Sequence, residues 1–178
     1  MGSDKALLVR DGQSQLAYIV ALLDQVTDRV FVSTRGDQQG DSERSQFAQI
    51  VDRYEDIGPI AGILSALEEY PREDWLVVAC DLPNIDKPTL QYLVANRSPE
   101  KPFTAYRSSY DDLPEPLCAL YQSGSDRILR QFIDDGIVCP RKVLIRSDTE
   151  LLEQLDPKSL DNINTPDDLQ RSVLEATS

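Results

Sequence analysis

The sequence contains no histidine among its 178 residues. Histidine is the commonest general base, so its absence excludes Ser–His and Cys–His dyads as well as His-ligated zinc. The three cysteines, Cys80, Cys118 and Cys139, lie far apart, which indicates neither a disulfide framework nor a CxxC site. The remaining chemistry belongs to carboxylates, amides, hydroxyls and cations, and unpaired thiols fit a reducing cytoplasm.

Positive charge and long apolar runs are also scarce. Lys and Arg number 18 against 31 Asp and Glu, so the formal net charge is −13. An acidic surface repels nucleic acids and anionic membranes, and no run approaches the ~18 apolar residues of a membrane-spanning helix. No signal peptide is visible. We therefore expect a cytoplasmic protein without nucleic-acid or membrane partners, and we expect residues 1–178 to form a single domain.

The most informative stretch is WLVVACDLPNI, residues 75–85. The apolar run from Leu76 to Cys80 predicts a strand that is buried on both faces, as in a parallel sheet between helices. The run stops at Asp81, and ligands of open α/β sheets bind beyond the carboxyl ends of such strands. Asp81 could hold a divalent metal ion against a phosphate there. Alternatively, it starts a turn or caps the next helix.

Helices and strands alternate in the first half of the chain, which is typical of a parallel sheet. Apolar residues at helical spacing predict helices over 13–26, 58–70, 88–95, 125–134 and 166–174. Short apolar runs predict strands over 29–34, 75–80, 103–107, 117–122 and 143–145. The strands of the second half lie closer together, which indicates antiparallel pairs at one edge of the sheet.

The segment GPIAGILSALEEY, residues 58–70, carries its own helix start. Pro59 suits the first helical position, and Gly58 leads into it. Gly62 lies in the first turn, where glycine costs ~1 kcal/mol relative to alanine. That cost is explained if a ligand approaches the backbone at Gly62, or if the helix packs tightly on a strand there.

Polar residues recur at strand ends and helix starts. Taken singly, Lys5 could be a surface lysine, Asp52 a turn residue, and Asn162 and Asn164 local turn and cap residues. In chain order, however, they fall within or next to five motifs: MGSDKALL at 1–8, Asp52 ahead of GPIAGI at 58–63, CDLP at 80–83, EPLCALY at 115–121 and NINTPDDL at 162–169. With these motifs the chain resembles the MobA-like nucleotidyltransferases, most closely the molybdenum cofactor guanylyltransferases.

This resemblance implies a three-layer α/β/α Rossmann-like fold, with a mostly parallel sheet and some antiparallel edge strands. It implies transfer of GMP from Mg²⁺-bound GTP to the molybdopterin-bound molybdenum cofactor, with release of pyrophosphate. The implied partners are GTP, molybdopterin and other proteins of cofactor biosynthesis.

The resemblance also assigns roles to individual residues. Lys5 and Asp81 would be catalytic, with Lys5 on the nucleotide phosphates and Asp81 on Mg²⁺. The implied nucleotide-binding residues are Lys5, Asp52, Gly58, Pro59, Gly62 and Asp81. Asn162 and Asn164 would line the acceptor site. No strong base is required, because the attacking phosphate is already a nucleophile.

The chain departs from the family pattern at its start, where the first strand and most of a Gly-rich loop do not precede Asp4. Either the natural protein begins further upstream, or another segment replaces the strand, or the activity is lost. We expect the first. Alternative functions are a related cytidylyltransferase or sugar-phosphate nucleotidyltransferase, or a non-catalytic nucleotide-binding domain.

Overall fold

The computed structural model describes residues 5–10 and 12–162. The helices are α1 Gln15–Leu23, α2 Ile60–Glu69, α3 Lys87–Ala95, α4 Asp126–Asp134 and α5 Pro140–Arg146. The strands are β1 Val9–Arg10, β2 Gln13–Ser14, β3 Val32–Thr34, β4 Gln49–Val51, β5 Trp75–Val78, β6 Phe103–Arg107, β7 Pro114–Tyr121 and β8 Thr149–Leu152. None of these helices is long and apolar enough to cross a membrane.

The main sheet has four strands in the order β5-β7-β6-β8. β6 pairs in parallel with β8, and β7 runs antiparallel to both of its neighbours. β3 and β4 form a separate parallel pair, and β1 and β2 form a short antiparallel hairpin. The antiparallel strand of the main sheet therefore lies in its interior.

Helices cover both faces of this sheet because its strands are apolar on both sides. Leu76 and Val78 pack into a cluster with α1 and α3, whereas Trp75 and Val77 pack into a second cluster with α2, α4 and α5. This alternation follows from the two-residue period of a strand. It confirms the predicted three-layer α/β/α class.

Apolar periodicity and capping residues in the sequence predicted most helices and strands correctly. α1 begins later than predicted because Ser14 acts as its N-cap, where Ser14 Oγ accepts a hydrogen bond from Ala17 N at 3.0 Å. Asp86 caps α3 in the same way, with Thr89 N as the donor at 2.9 Å. β6 has the predicted bounds.

The predicted strand over 143–145 is wrong, because these residues lie in α5. Pro140 occupies the first turn of that helix, where proline is tolerated. Val143 and Leu144 are buried in the cluster that contains α2 and α4. A three-residue apolar run fits either structure, and Thr149–Leu152, which was not predicted, forms the strand β8 instead.

The expectation that residues 76–80 form a fully buried strand of a parallel sheet is met only in part: both faces of β5 pack against helices, but the strand pairs antiparallel with β7. β5 lies at the edge of the four-stranded sheet, and Trp75 through Cys80 are all only partly buried. The apolar run therefore faces open space along one edge. The predicted helix over 166–174 lies outside the described residues.

Candidate functional site

The turn that follows β5 places Asp81 beside Lys5. Lys5 Nζ lies 3.1 Å from Asp81 Oδ2, although the two residues are 76 positions apart in sequence. Lys5 begins a 3₁₀ turn, and the next residue, Ala6, is 2% exposed. The other side of the turn is held by the buried Gln15, whose Nε2 donates to Leu82 O at 3.0 Å. The cation and the carboxylate are thus positioned by buried neighbours.

The pair itself remains accessible to a ligand. The side chain of Lys5 is 28% exposed and that of Asp81 is 25% exposed. Ion pairs with this much solvent contact stabilise a fold by only about 0–1 kcal/mol. A phosphate or a metal ion can therefore exchange partners with this pair at little cost to folding.

Asp52 follows β4 and is held from both sides. Asp52 N donates to Thr34 O at 2.8 Å, and the next amide, Arg53 N, donates to Ser65 Oγ of α2 at 2.9 Å. Its side chain accepts a hydrogen bond from Ser33 Oγ at 2.8 Å. Burial raises the pKa of Asp52 above its usual value, and the bond from Ser33 and the charge of Arg35 oppose that rise.

Glycine stands at positions 58 and 62, near Asp52, for two different structural reasons. Gly58 has a φ of +69°, a left-handed conformation that L side chains rarely adopt, and it precedes Pro59, the N-cap of α2. Gly62 is buried, and a Cβ on it would lie 2.2 Å from Ser33 Oγ and 3.1 Å from Asp52 Oδ1. Of the two explanations offered for Gly62, tight packing of helix on strand is present.

A single cavity of about 1270 Å³ brings most of the predicted residues together. It is lined by all six predicted nucleotide-binding residues, which are Lys5, Asp52, Gly58, Pro59, Gly62 and Asp81. Arg35, which follows β3, lines the same cavity. The carboxylate of Asp52 and the Lys5–Asp81 pair therefore face a common space.

A second, smaller cavity of about 110 Å³ adjoins the other side of Asp81. Asn162 lines it together with Glu115 and Arg141. Arg141 Nη2 lies 2.7 Å from Glu115 Oε2, and Arg141 Nη1 lies 3.1 Å from Asp111 Oδ2. Asn162 thus shares a cavity with Asp81, whereas Asn164 lies outside the described residues.

Sequence reasoning missed Ser33 and Glu115 as site residues. Ser33 is a polar residue inside the short strand β3, and only the fold shows that it meets Asp52. Glu115 belongs to the EPLCALY motif, which gave it no role of its own. Since a net charge of −13 repels anionic substrates, the sequence also predicts that Lys5, Arg35, Arg141 and Lys142 gather at the mouth of the site. Lys5 and Arg35 line the large cavity and Arg141 lines the small one, whereas Lys142 is exposed on α5 and lines neither.

The oxygen ligands available here suit a hard cation. Within residues 5–10 and 12–162, no group of three or more Cys, Asp or Glu side chains could hold a metal ion. Magnesium takes one or two carboxylates and completes its shell with water and substrate phosphates. The single carboxylate of Asp81, at the edge of a large cavity, fits that requirement.

Comparison with known proteins places the chain in a family. The family profile for the MobA-like NTP transferase domain matches residues 1–151. A molybdenum cofactor biosynthesis bifunctional protein from Synechocystis is 34% identical over 94% of this chain, which spans about half (48%) of that relative. A molybdenum cofactor guanylyltransferase from Pseudomonas aeruginosa is 30% identical over 93% of this chain and 84% of its own length. The crystal structure of molybdopterin-guanine dinucleotide biosynthesis protein A from Archaeoglobus fulgidus has a TM-score of 0.77 and 25% identity, and covers 96% of this chain and 89% of its own. The chain belongs to the MobA-like NTP transferase domain family, a family of nucleotidyltransferase enzymes.

Proposed function

We propose that this chain transfers GMP from Mg²⁺-bound GTP to molybdopterin-bound molybdenum cofactor and releases pyrophosphate. The observation that carries the proposal is the Lys5–Asp81 pair, 3.1 Å apart, at the edge of the cavity that also contains Asp52 and Gly62. The name of the Pseudomonas aeruginosa relative, molybdenum cofactor guanylyltransferase, supports the choice of nucleotide and acceptor. We further propose that residues 1–178 act as one catalytic domain in the cytoplasm.

The reaction is a displacement at the α-phosphorus of GTP. An oxygen of the acceptor's terminal phosphate forms a bond to that phosphorus while the bond to the β-phosphate oxygen breaks, and the electron pair leaves with pyrophosphate. The acceptor oxygen is already anionic, so no side chain must remove a proton. The protein's task is to position two polyanions in line and to neutralise charge in the transition state.

Lys5 is the cation that this chain provides for the phosphates. Its ammonium group acts as a point charge, which tolerates the change of phosphate geometry during transfer. Magnesium, held by Asp81, would supply further neutralisation of phosphate charge when bound. Because Lys5 contacts Asp81, the ammonium group and a metal ion held by Asp81 would act on the same phosphate groups.

Asp52 supports recognition of the guanine base. A carboxylate accepts two hydrogen bonds from the N1–H and the exocyclic amino group of guanine, whereas cytosine lacks this pair of donors. Ser33 orients the carboxylate, and Gly58, Pro59 and Gly62 border the same cavity. The acceptor side of our proposal rests on Asn162, which shares the smaller cavity with Asp81, and on Asn164 two residues later.

Calorimetric titration of the chain with GTP and then CTP, each with magnesium, tests this proposal. We expect binding of GTP and at least a tenfold weaker response to CTP. With purified molybdenum cofactor present, pyrophosphate release should depend on both GTP and magnesium. A preference for CTP would assign the chain to a cytidylyltransferase. Binding of GTP without pyrophosphate release would make it a nucleotide-binding domain without transferase activity.

A further inference from the structure

Two polar side chains are withdrawn from solvent on α2, where the other buried residues are apolar or glycine. Ser65 is fully buried, and the side chain of Glu68 is only 10% exposed. The two residues are three positions apart, so they lie on the same face of the helix. A buried carboxylate is costly unless it is paired and hydrogen-bonded, so its partners indicate why it is there.

The described partners of Glu68 come from the segment after Asp52 and from α4. Tyr54 Oη donates to Glu68 Oε1 at 2.6 Å, and Arg53 Nη1 lies 3.3 Å from Glu68 Oε2. Arg130 of α4 contacts Glu68 Oε1, and its Nη1 also donates to Tyr54 Oη at 3.4 Å. Charge-assisted bonds of this kind are stronger than neutral ones. The carboxylate therefore ties Arg53 and Tyr54 to both helices.

Ser65 acts on the same part of the chain. Arg53 N donates to Ser65 Oγ at 2.9 Å, and Ser65 Oγ donates to Ala61 O, one turn earlier in α2, at 2.7 Å. The hydroxyl is thus fixed in direction and accepts from the amide that immediately follows Asp52. Both polar side chains of this face of α2 contact the two residues next to Asp52.

The segment between β4 and α2 depends on such contacts for its conformation. Within the described residues, no backbone–backbone hydrogen bond involves residues 53–57. Asp56 has a φ of +59° and Gly58 a φ of +69°, and a non-glycine residue keeps a left-handed conformation only where its surroundings fix it. Side chains of α2, rather than a strand ladder, therefore determine where this segment lies.

We propose that Glu68 and Ser65 are positioning residues for nucleotide binding. They hold Arg53 and Tyr54 against α2, and this fixes the direction in which the Asp52 carboxylate faces the large cavity. Neither Glu68 nor Ser65 lines that cavity, so both act through Asp52 rather than on the nucleotide. The inference rests on the proposed function, in which Asp52 recognises the guanine base.

The network serves the base and not the phosphates. In the described part of the chain, none of its contacts reaches Lys5 or Asp81. Those two residues are positioned instead by the turn after β5 and by Gln15. Loss of the Glu68 charge should therefore weaken a ligand that carries guanine and leave a ligand made of phosphate alone unaffected.

Glu68→Gln tests this difference by calorimetric titration with GTP and with pyrophosphate, each with magnesium. Glutamine keeps the shape of the side chain and still accepts from Tyr54, but it carries no charge to hold Arg53 and Arg130. We expect the dissociation constant of GTP to rise by about tenfold, the effect of one lost charge-assisted hydrogen bond, and that of pyrophosphate to stay within about twofold.

Glu69→Gln is the matched control. Glu69 is the next residue of α2, and its side chain is exposed and contacts the outer part of the Arg53 guanidinium. The substitution removes the same charge from the same helix, so we expect wild-type affinity for both ligands. Ser65→Ala, which removes the acceptor of Arg53 N, should repeat the selective loss of GTP binding and serves if Glu68→Gln does not fold.

Two further readouts separate positioning from a merely structural role. Asp52→Asn combined with Glu68→Gln should bind GTP no more weakly than Asp52→Asn alone, because Glu68 acts through Asp52. Hydrogen exchange at the Arg53 amide, which donates to Ser65, should quicken by tenfold or more in Glu68→Gln. The Ala79 amide, which donates to Leu117 O of β7, reports whether the sheet remains folded.

Each other outcome overturns the proposal. Equal weakening of GTP and pyrophosphate, or additive losses in the double variant, would make Glu68 a residue of general stability. Faster exchange at Arg53 with unchanged GTP affinity would show that the network holds the segment without serving the nucleotide. If the wild-type chain binds no GTP, the proposed function fails first, and unchanged exchange at Arg53 would then show separately that Glu68 does not hold the segment.

Discussion

At the scale of single residues, the Lys5–Asp81 pair is partly exposed and takes little part in packing. Both side chains are about a quarter exposed, and neither contributes to an apolar cluster. Residues placed for packing would be buried, whereas this pair keeps access to a large cavity. A loss of either charge should therefore be felt in catalysis more than in folding.

Asp81→Asn tests whether this charge matters more for catalysis than for folding. We expect turnover to fall by a factor on the order of 10²–10³ or more, because the variant loses the carboxylate that we propose as the metal ligand. The ion pair accounts for only about 0–1 kcal/mol, so the melting temperature should change by no more than about 4 °C. Pyrophosphate release and thermal melting are the two measurements.

Asp28→Asn provides the matched control for that experiment. Asp28 also lines the large cavity, but it is exposed and precedes β3, at the opposite end of the strands from Asp81. Asp28→Asn changes the net charge by the same amount as Asp81→Asn, and we expect it to retain wild-type turnover. A collapsed melting curve for Asp81→Asn would instead make Asp81 a structural residue, and an equal loss of turnover in both variants would point to net charge.

Asp52→Asn tests the half-buried carboxylate through the pH dependence of stability. Because burial raises the pKa of Asp52, this group favours the folded state below its unfolded pKa of ~3.9 and loses that contribution as pH rises through the folded pKa. Asparagine does not titrate and still accepts from Ser33. The melting temperature of Asp52→Asn relative to wild type should therefore rise between about pH 4 and pH 7.

The same variant distinguishes base recognition from phosphate binding. We expect Asp52→Asn to weaken GTP binding strongly and pyrophosphate binding little, since its carboxylate is assigned to guanine. Titration calorimetry with each ligand measures this difference. Equal weakening of the two ligands would contradict a contact with the base.

At the scale of elements, the contact of α2 with β3 is built around the absence of a side chain at Gly62. Helical glycine costs ~1 kcal/mol relative to alanine, so Gly62→Ala gains that amount. The new Cβ would lie 2.2 Å from Ser33 Oγ, which must rotate and release Asp52. A lost hydrogen bond costs about 0.5–1.5 kcal/mol, so the two effects nearly cancel in stability.

We therefore expect Gly62→Ala to melt within a few degrees of wild type and yet to bind GTP more weakly, because Asp52 is no longer oriented. Ser33→Ala removes the same hydrogen bond directly and is the control. The double variant should bind GTP no more weakly than Ser33→Ala alone, as measured by calorimetry. Additive losses would show that Gly62 acts on the nucleotide independently of Ser33.

The elements also show where sequence reasoning stops. α2 was predictable because Pro59 starts it and its apolar residues have helical spacing over three turns. The run Val143–Ile145 was not, because three apolar residues do not define a period, and burial against α2 and α4 decides in favour of α5. The candidate site was likewise predictable only where local sequence determines it. Asp81 could be found from the strand that precedes it, but the Ser33–Asp52 contact depends on the pairing of β3 with β4.

At the scale of the whole molecule, the three-layer class was predictable from the motifs and the order of strands was not. The position of β7 between β5 and β6 results from pairing between residues far apart in sequence, such as Val77 with Ala119. No local pattern specifies such pairs. The same holds for the edge of β5, whose apolar run indicates burial that the described residues do not provide.

Net charge acts at this same scale. With a formal charge of −13, the folded chain is destabilised by its own repulsion, and surface pairs such as Arg107–Glu153, at 2.9 Å and with Glu153 78% exposed, compensate little. Sodium chloride shortens the Debye length from ~30 Å at 0.01 M to ~10 Å at 0.1 M. We expect the melting temperature to rise by several degrees over that range.

Potassium chloride should give the same rise, because screening depends on ionic strength rather than on the ion. Magnesium chloride at equal ionic strength should stabilise wild type further and Asp81→Asn no further, since only wild type offers the carboxylate at the end of β5. A melting temperature that falls with salt would mean that the surface ion pairs outweigh the net repulsion. In that case the acidic composition would not limit the stability of this fold, and the exposed pairs would be its main electrostatic support.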